Sequence, residues 1–325
     1  MKDASVITKE EEYLKDLAYV SFTPIFILGV HRSGTSILYK MLVATGCFNP
    51  VTAYHLINYD ELLSNHHEQK EAIVKQQLTD TLRKDGSFDR GIDRLKVTAD
   101  FAEEYGFLLG RLTMKMAITK KSVPLFTDLC KKIQFIAGNN KPLLLKNPYD
   151  FPNFLYIKEL FPTAKFVFIH RHPLKTISST LNAVRTILKK KNPYTSQLST
   201  LYDTFYSNPL IRSFLRFLFW VIPECSVMFI TRITAVGARY YVENIERLPV
   251  EDYISITYED LCTHPQELLD TILSKFSFSP QHKIDAASFI KPRSVAVDDA
   301  VQKLRGHIYA SMKMYCARFG YIRDG

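Results

Sequence analysis

The chain has 325 residues, enough for two domains of roughly 150 residues each or for one large α/β unit. Its 46% hydrophobic and 23% charged residues are an ordinary globular composition, which excludes a disordered or collagen-like chain. Forty-two Lys and Arg against 33 Asp and Glu leave a net charge of +9, favouring anionic partners such as nucleotides, nucleic acid or acidic lipid without choosing among them.

The opening residues, MKDASVITKEEEYLKDLAYV, are acidic and mixed, and lack the basic start and apolar run of a secretory signal. A short helix is expected over residues 8–17, capped by Thr8 ahead of an acidic first turn. The run PIFIL (24–28) stops at Gly29 and reads as a fully buried strand of the parallel-sheet kind. Ile37, Leu38, Met41 and Leu42 then recur at helical spacing, giving strand, glycine loop, helix.

Residues 60–82 and 100–117 read as amphipathic helices, joined by a charged, glycine-containing stretch near 84–94. Leu143, Leu144 and Leu145 form a second buried strand, followed by a helix marked by Tyr156, Ile157 and Leu160 and ended by Phe161-Pro162. The run KFVFIH (165–170) is a third strand, with a helix over 174–188 after it. YISIT (253–257) precedes a helix over 266–276, and a last helix is expected over 298–319. Alternating strands and helices predict an α/β fold, a P-loop-like, doubly wound parallel sheet flanked by helices. We expect one domain over 1–325, with a helical acceptor-binding cap built from segments 60–135 and 195–245. Ligands of such sheets bind beyond the carboxyl ends of the strands. The residues after Leu28, Leu145, His170 and Thr257 are therefore where a site should lie.

Five cysteines (Cys47, Cys130, Cys225, Cys262, Cys316) are odd in number and scattered without a C-x-x-C pair. That argues against a disulfide framework and a zinc site, and suits the cytoplasm. The segment FLRFLFWVIPECSVMFI (214–230) carries Arg216, Pro223 and Glu224. A spanning helix needs about 20 mostly apolar residues, and a central charge costs roughly 2.5–3.5 kcal/mol, so it is read as non-spanning. Phe205, Tyr206, Phe214, Phe217, Phe219, Trp220 and Phe229 make residues 202–241 unusually aromatic. They could line an apolar pocket, rest on a membrane surface as a peripheral contact, or fill the core of a helical cap.

The loop Gly29-Val-His-Arg-Ser-Gly-Thr-Ser36 matches G-x-x-x-x-G and then departs from a P-loop. A P-loop places Lys after the second glycine, to reach the β- and γ-phosphates, and then Ser or Thr for magnesium. Here Thr35 holds the Lys position and the cation is Arg32. The backbone cradle and helix N-terminus still make an anion site, but the charge is not placed for magnesium-ATP chemistry.

The segment FILGVHRSGTSILYKML resembles the first signature of sulfotransferases that use 3′-phosphoadenosine 5′-phosphosulfate (PAPS), in the branch with Arg in the loop. The resemblance implies that Ser33, Gly34, Thr35 and Ser36 hold the 5′-phosphate, with Arg32 at the bridging oxygen. FPTAKFVFIHRHPLKTISST is similar to the family's second signature, in which Arg171 and Ser179, eight residues apart, grip the 3′-phosphate. ISITYEDLCTHPQELLDTILSKF resembles its late strand, which would put Tyr258 near the adenosine or at a strand–helix junction as a plug. The matching segments, 24–46, 142–182 and 253–276, cover about a quarter of the chain. The basic-glycine segment that closes the cytosolic small-molecule branch is absent, and Lys291 and Arg293 are candidates to replace its phosphate contacts.

Sulfuryl transfer moves SO₃ in line from a phosphate oxygen to an acceptor hydroxyl. Its lower charge makes a metal unnecessary, so protein cations must stabilise the leaving and equatorial oxygens while a base takes the proton. Arg32 answers for the leaving oxygen. Lys146, in LLLKNP at a strand end, matches a Lys-x-Pro context in related Arg-type enzymes where the lysine faces the sulfuryl group. The family's carboxylate base lies about twenty residues after the loop Arg. Here the nearest titratable group is His55, with Asp60 and Glu61 slightly later. The expected function is PAPS-dependent transfer to a small, lipophilic hydroxyl acceptor (sterol-, phenol- or lipid-like), with no nucleic acid partner. The alternatives are a glycan sulfotransferase or a variant P-loop nucleotide kinase.

Overall fold

The structure, a computed structural model, describes residues 4–84, 96–290 and 296–321. Residues 85–94 of the charged joint, Lys291 and Arg293 lie outside the described residues.

In chain order, β1 (Pro24–Leu28) leads into α1 (Thr35–Ala44) and the two-residue β2 (Asn49–Pro50). Helix α2 (Val123–Ala137) precedes β3 (Leu143–Lys146), and β4 (Lys165–His170) precedes α3 (Pro173–Lys189). Then come α4 (Pro209–Trp220), α5 (Pro223–Asn244), β5 (Tyr253–Thr257) and α6 (Tyr258–Thr263). The strands form one sheet in the order β2-β3-β1-β4-β5, so the order reverses at β1, where such sheets bind ligands. The β1–β4, β2–β3 and β4–β5 pairs are all parallel, with Leu28 beside Phe168 and His170 beside Thr257. All five residues of β1 are buried, which is why that strand reads as an unbroken apolar run.

The chain divides into two compact units. The first comprises residues 1–24, 48–145 and 191–204. Within it the helix Ala4–Tyr13 carries Glu10, which is 5% exposed yet ionically paired. Its carboxylate accepts from Lys132 Nζ at 2.7 Å, from the Ser64 hydroxyl and amide at 2.9 Å, and from the Leu63 amide at 3.2 Å. Tyr194 Oη donates to the buried Glu103 at 2.8 Å in the same unit. The second unit holds residues 25–47, 146–190 and 205–325. There Leu174, Ile177, Leu181 and Leu188 line one face of α3 at helical spacing, and join Val227, Ile230, Ala238, Ile308, Met312 and Tyr315 in one core.

Several expected helices differ in extent. The first starts at Ala4 and runs through Thr8, which is therefore no cap. The helix expected over 60–82 breaks into Leu62–His67 and Glu71–Lys84, because Gln69 takes a left-handed φ of +55°. Lys70 then turns its amide back onto the Asn65 carbonyl at 2.8 Å, which closes the first helix. The helix expected over 100–117 is only Gly106–Thr113, ended by Met114 at φ +55°. The last helix is three short ones, Asp299–Lys303, Arg305–Ser311 and Lys313–Arg318. Helix α2 has no counterpart in the sequence reading. Segment 60–135 falls in the first unit, whereas α4 and α5 of the second segment fall in the other.

Burial would raise the Glu10 pKa, but the Lys132 bond and the Ser64 amide outweigh it and hold the carboxyl below its ordinary value. Because its folded pKa lies below the unfolded one, Glu10 stabilises the fold above the unfolded value, and this contribution is lost as pH falls through the folded one. Lys132→Met leaves that carboxylate buried without its cation and should cost about 3–5 kcal/mol. Urea unfolding of both proteins between pH 7 and the carboxylate range checks this: the variant should lose the acid-dependent part of its stability.

Candidate active site

The glycine loop is built by close approach. A Cβ on Gly29 would lie 2.5 Å from both the Ile169 carbonyl oxygen and Ser33 Oγ. Gly34, at φ +106°, would put one 2.4 Å from the Tyr258 ring. Both positions therefore require glycine. Arg32 sits at φ +69° with a full side chain, a conformation that costs of order 1–2 kcal/mol for an L-residue. Its Nε donates to Ser179 Oγ on α3 at 3.2 Å. After Gly34 the chain enters α1 at Thr35, so the loop ends on a helix N-terminus.

The end of β4 faces the same loop. Arg171 Nη1 donates to the Arg32 carbonyl at 2.9 Å, and its guanidinium lies 4.2 Å above the Tyr258 ring. The Arg171 amide donates to Tyr315 Oη at 3.2 Å. The next amide, of His172, donates to Glu259 at 3.2 Å, while Tyr321 Oη donates to the other oxygen of that carboxylate at 3.0 Å. Thr257 caps α6 by accepting from the Asp260 amide at 3.0 Å, which fixes Tyr258 and Glu259 at the start of that helix. Sequence reasoning missed Glu259, Tyr315 and Tyr321. Glu259 follows Tyr258 within a motif already singled out, whereas no local pattern marks the two tyrosines.

Lys146 ends β3 with its side chain buried, and its Nζ donates to Ser36 Oγ at 3.0 Å. Asn147, fully buried, caps the following turn of 3₁₀ helix and donates through Nδ2 to Asp150 at 2.9 Å. The Lys-Asn-Pro run thus turns the chain sharply just after the lysine and holds it at the loop.

Nine of the ten predicted site residues lie in the second unit: Arg32, Ser33, Gly34, Thr35, Ser36, Lys146, Arg171, Ser179 and Tyr258. Among these nine residues, two buried polar atoms, Ser33 Oγ and Arg171 Nε, have no hydrogen-bond partner. A hydroxyl on the loop and a guanidinium edge at the strand end are the donors that a phosphorylated ligand needs. The residues present therefore fit a phosphorylated nucleotide. Among the described residues no group of three or more His, Cys, Asp or Glu could hold a metal ion.

His55 belongs to the first unit. It occupies a capping box, in which its amide donates to Thr52 Oγ1 at 3.4 Å and its Nδ1 accepts from the Thr52 amide at 3.1 Å. Burial, and then the charge of Lys75, push its pKa down to about 3. An imidazole so weakly basic, with one nitrogen engaged by backbone, is a poor proton acceptor.

A family model described as Sulfotransferase family matches residues 24–212, more than half of the chain. Among solved structures, the chain is similar to the sulfotransferase STF9 from Mycobacterium avium, at 12% identity and a TM-score of 0.56, covering 96% of this chain and 72% of that one. It is also similar to the sulfotransferase STF1 from Mycobacterium tuberculosis H37Rv, at 14% identity and a TM-score of 0.54, covering 98% and 82%. At such identities the two structures establish the fold. None of the curated proteins compared matches the chain. The matched segment spans the glycine loop, Lys146 and the Arg171–Ser179 pair, and on it the chain belongs to the Sulfotransferase family.

Proposed function

We propose that the second unit binds PAPS and transfers its sulfuryl group to the hydroxyl of a small, lipophilic acceptor. The observation that carries this reading is the junction of Arg32, Ser179 and Arg171. Two arginines and a hydroxyl from three separate segments meet at the end of β4, beside the helix N-terminus that follows the loop.

In this reading Ser33 to Ser36 hold the 5′-phosphate, and Arg171 with Ser179 holds the 3′-phosphate. Arg171 also fixes Tyr258, which offers its ring to the adenosine. The acceptor oxygen forms a bond to sulfur as the bond from sulfur to the bridging phosphate oxygen breaks. The acceptor's proton goes to a base, and the bisphosphate leaves. Arg32 stabilises the charge growing on the bridging oxygen, and Lys146 exchanges its bond to Ser36 for a sulfuryl oxygen. We assign His55 to its own helix turn rather than to proton transfer. The lipophilic acceptor is supported by the apolar surface of α4 and α5, where Phe214 and Phe229 are 64% and 59% exposed. Phosphoryl transfer from ATP is disfavoured, since Thr35 stands where a P-loop carries its lysine. The five cysteines are unpaired, which suits a reducing compartment, and we place the protein in the cytoplasm.

Incubation with PAPS and a panel of phenols, sterols and long-chain alcohols should release the adenosine bisphosphate without added magnesium. Release that requires magnesium, or none with any hydroxyl acceptor, would count against the assignment. Lys146→Met should lower kcat about 10²–10³-fold with little change in nucleotide affinity. Arg171→Lys keeps the charge but loses the fork, and should raise the Kd for the bisphosphate about tenfold or more.

Arg32→Gly gives the loop a residue that accepts its left-handed backbone. It should abolish transfer while changing unfolding stability by less than about 1 kcal/mol, because relieved strain offsets lost contacts. His55→Gln should cost about 1 kcal/mol of stability through the cap and leave the pH profile of kcat unchanged. A profile that loses a limb in that variant would restore His55 as the base.

A further inference from the structure

Helices α4 and α5 meet at an elbow bent by 94°. Leu210, Phe214 and Phe217 recur at i, i+4 and i+7 along one face of α4, and all three are exposed, Leu210 at 81%. Trp220 closes that helix, 43% exposed. On α5, Phe229 and Val236 share a stripe with Arg232 and Arg239, and all four are exposed. Asn208 caps α4 by accepting from the Leu210 and Ile211 amides at 3.0 and 3.1 Å, so the arm is a closed helix from its first turn.

Charge on this elbow is predominantly positive. Helices α4 and α5 contain Arg212, Arg216, Arg232 and Arg239 against two acids, Glu224, which Lys303 pairs at 3.0 Å, and Glu243 in the last turn of α5. Arg216 donates to the Leu188 and Lys189 carbonyls, fastening the lysine-rich end of α3 to the arm. Lys189, Arg216, Phe217, Trp220 and Val221 line an open pocket of about 540 Å³ there, cations beside rings. With 12 residues, α4 is about 18 Å long, well short of a bilayer core of about 30 Å. No single helix among the described residues is long and apolar enough to cross a membrane.

A large exposed apolar face rimmed by cations, on a helix pair bent by 94° whose first arm is short, matches the chemistry of an interfacial element that lies in the headgroup region. A second copy of the chain would bring arginine against arginine across such a face. We propose that the α4–α5 elbow docks the protein on the surface of an anionic lipid bilayer, with Phe214, Phe217 and Trp220 below the headgroups and the arginines among the phosphates. Docking uses the apolar surface that also supports the lipophilic acceptor, and it is tested without nucleotide, so that its failure is distinguishable from failure of the transferase reading.

Trp220 is the only tryptophan in the chain, so its emission reports on the elbow alone. Full-length protein is titrated with vesicles of phosphatidylcholine and phosphatidylglycerol, beside phosphatidylcholine alone and beside soluble glycerol phosphate. The expected result is a blue shift and co-sedimentation with the anionic vesicles only, fading as salt screens the charges. Arg232→Ser and Arg239→Ser should each weaken partitioning about fivefold. The double variant Phe214→Ser, Phe217→Ser should abolish co-sedimentation while circular dichroism and Tm stay those of the parent. An unshifted Trp220 on anionic vesicles, or full binding by the double phenylalanine variant, overturns the proposal. So does a blue shift that rises with protein concentration in the absence of lipid and accompanies a dimer in light scattering.

Discussion

The hydrogen bond from Arg171 to the Arg32 carbonyl is the constraint on which the site depends. Arg32 has a left-handed backbone that it would not adopt alone, and a charged donor from the neighbouring strand end holds its peptide in place. The same guanidinium covers Tyr258, whose ring occupies the space a side chain on Gly34 would need. Loop, strand end and α6 are therefore mutually fitted: each conformation is permitted only by the others. A site preorganised in this way presents its donors without rearranging when charge develops, the condition under which electrostatic stabilisation is most effective.

The layer behind that contact comes from the end of the chain. Tyr315 accepts from the Arg171 amide, and Tyr321 orders the carboxylate of Glu259 that takes the following amide. His170 is buried beside Tyr315, stacked on Phe319 with ring centroids 3.9 Å apart, and burial, then the charge of Arg318, push its pKa well below the ordinary value. The C-terminal helices thus act as a clamp on the turn after β4. The cost of the strained loop is offset at a distance, by packing in the core shared by α3, α5 and these helices.

Much of this was legible in the sequence. The limits of β1, β4 and β5 agree residue for residue with the structure: β1 and β4 are apolar runs buried almost throughout, whereas β5 buries only Ile256 and is marked by its alternating YISIT pattern. The loop and the Arg171–Ser179 spacing were legible because small residues and cations stand at fixed offsets there, and the structure brings Arg32, Arg171 and Ser179 together. Helix limits were less so. Gln69 and Met114 break helices by taking left-handed φ values, which neither residue type advertises. For His55, distance along the chain from Arg32 carried the expectation, while its burial and capping role arise from tertiary surroundings that distance does not reveal. Tyr315 reaches Arg171 from 144 residues away and Tyr321 reaches Glu259 from 62, beyond any local pattern.

The central claim is that the Arg32–Arg171–Ser179 junction is a phosphosulfate-nucleotide site and not a disguised ATP loop. Calorimetric and thermal titration with 3′,5′-adenosine bisphosphate, beside AMP and magnesium-ATP, tests it most directly. At 100 times its Kd, a ligand contributes about 2.7 kcal/mol, enough to raise the Tm of a chain this size by several degrees. The account predicts that the bisphosphate alone produces that shift, with no need for magnesium. A shift produced by magnesium-ATP and not by the bisphosphate would contradict it.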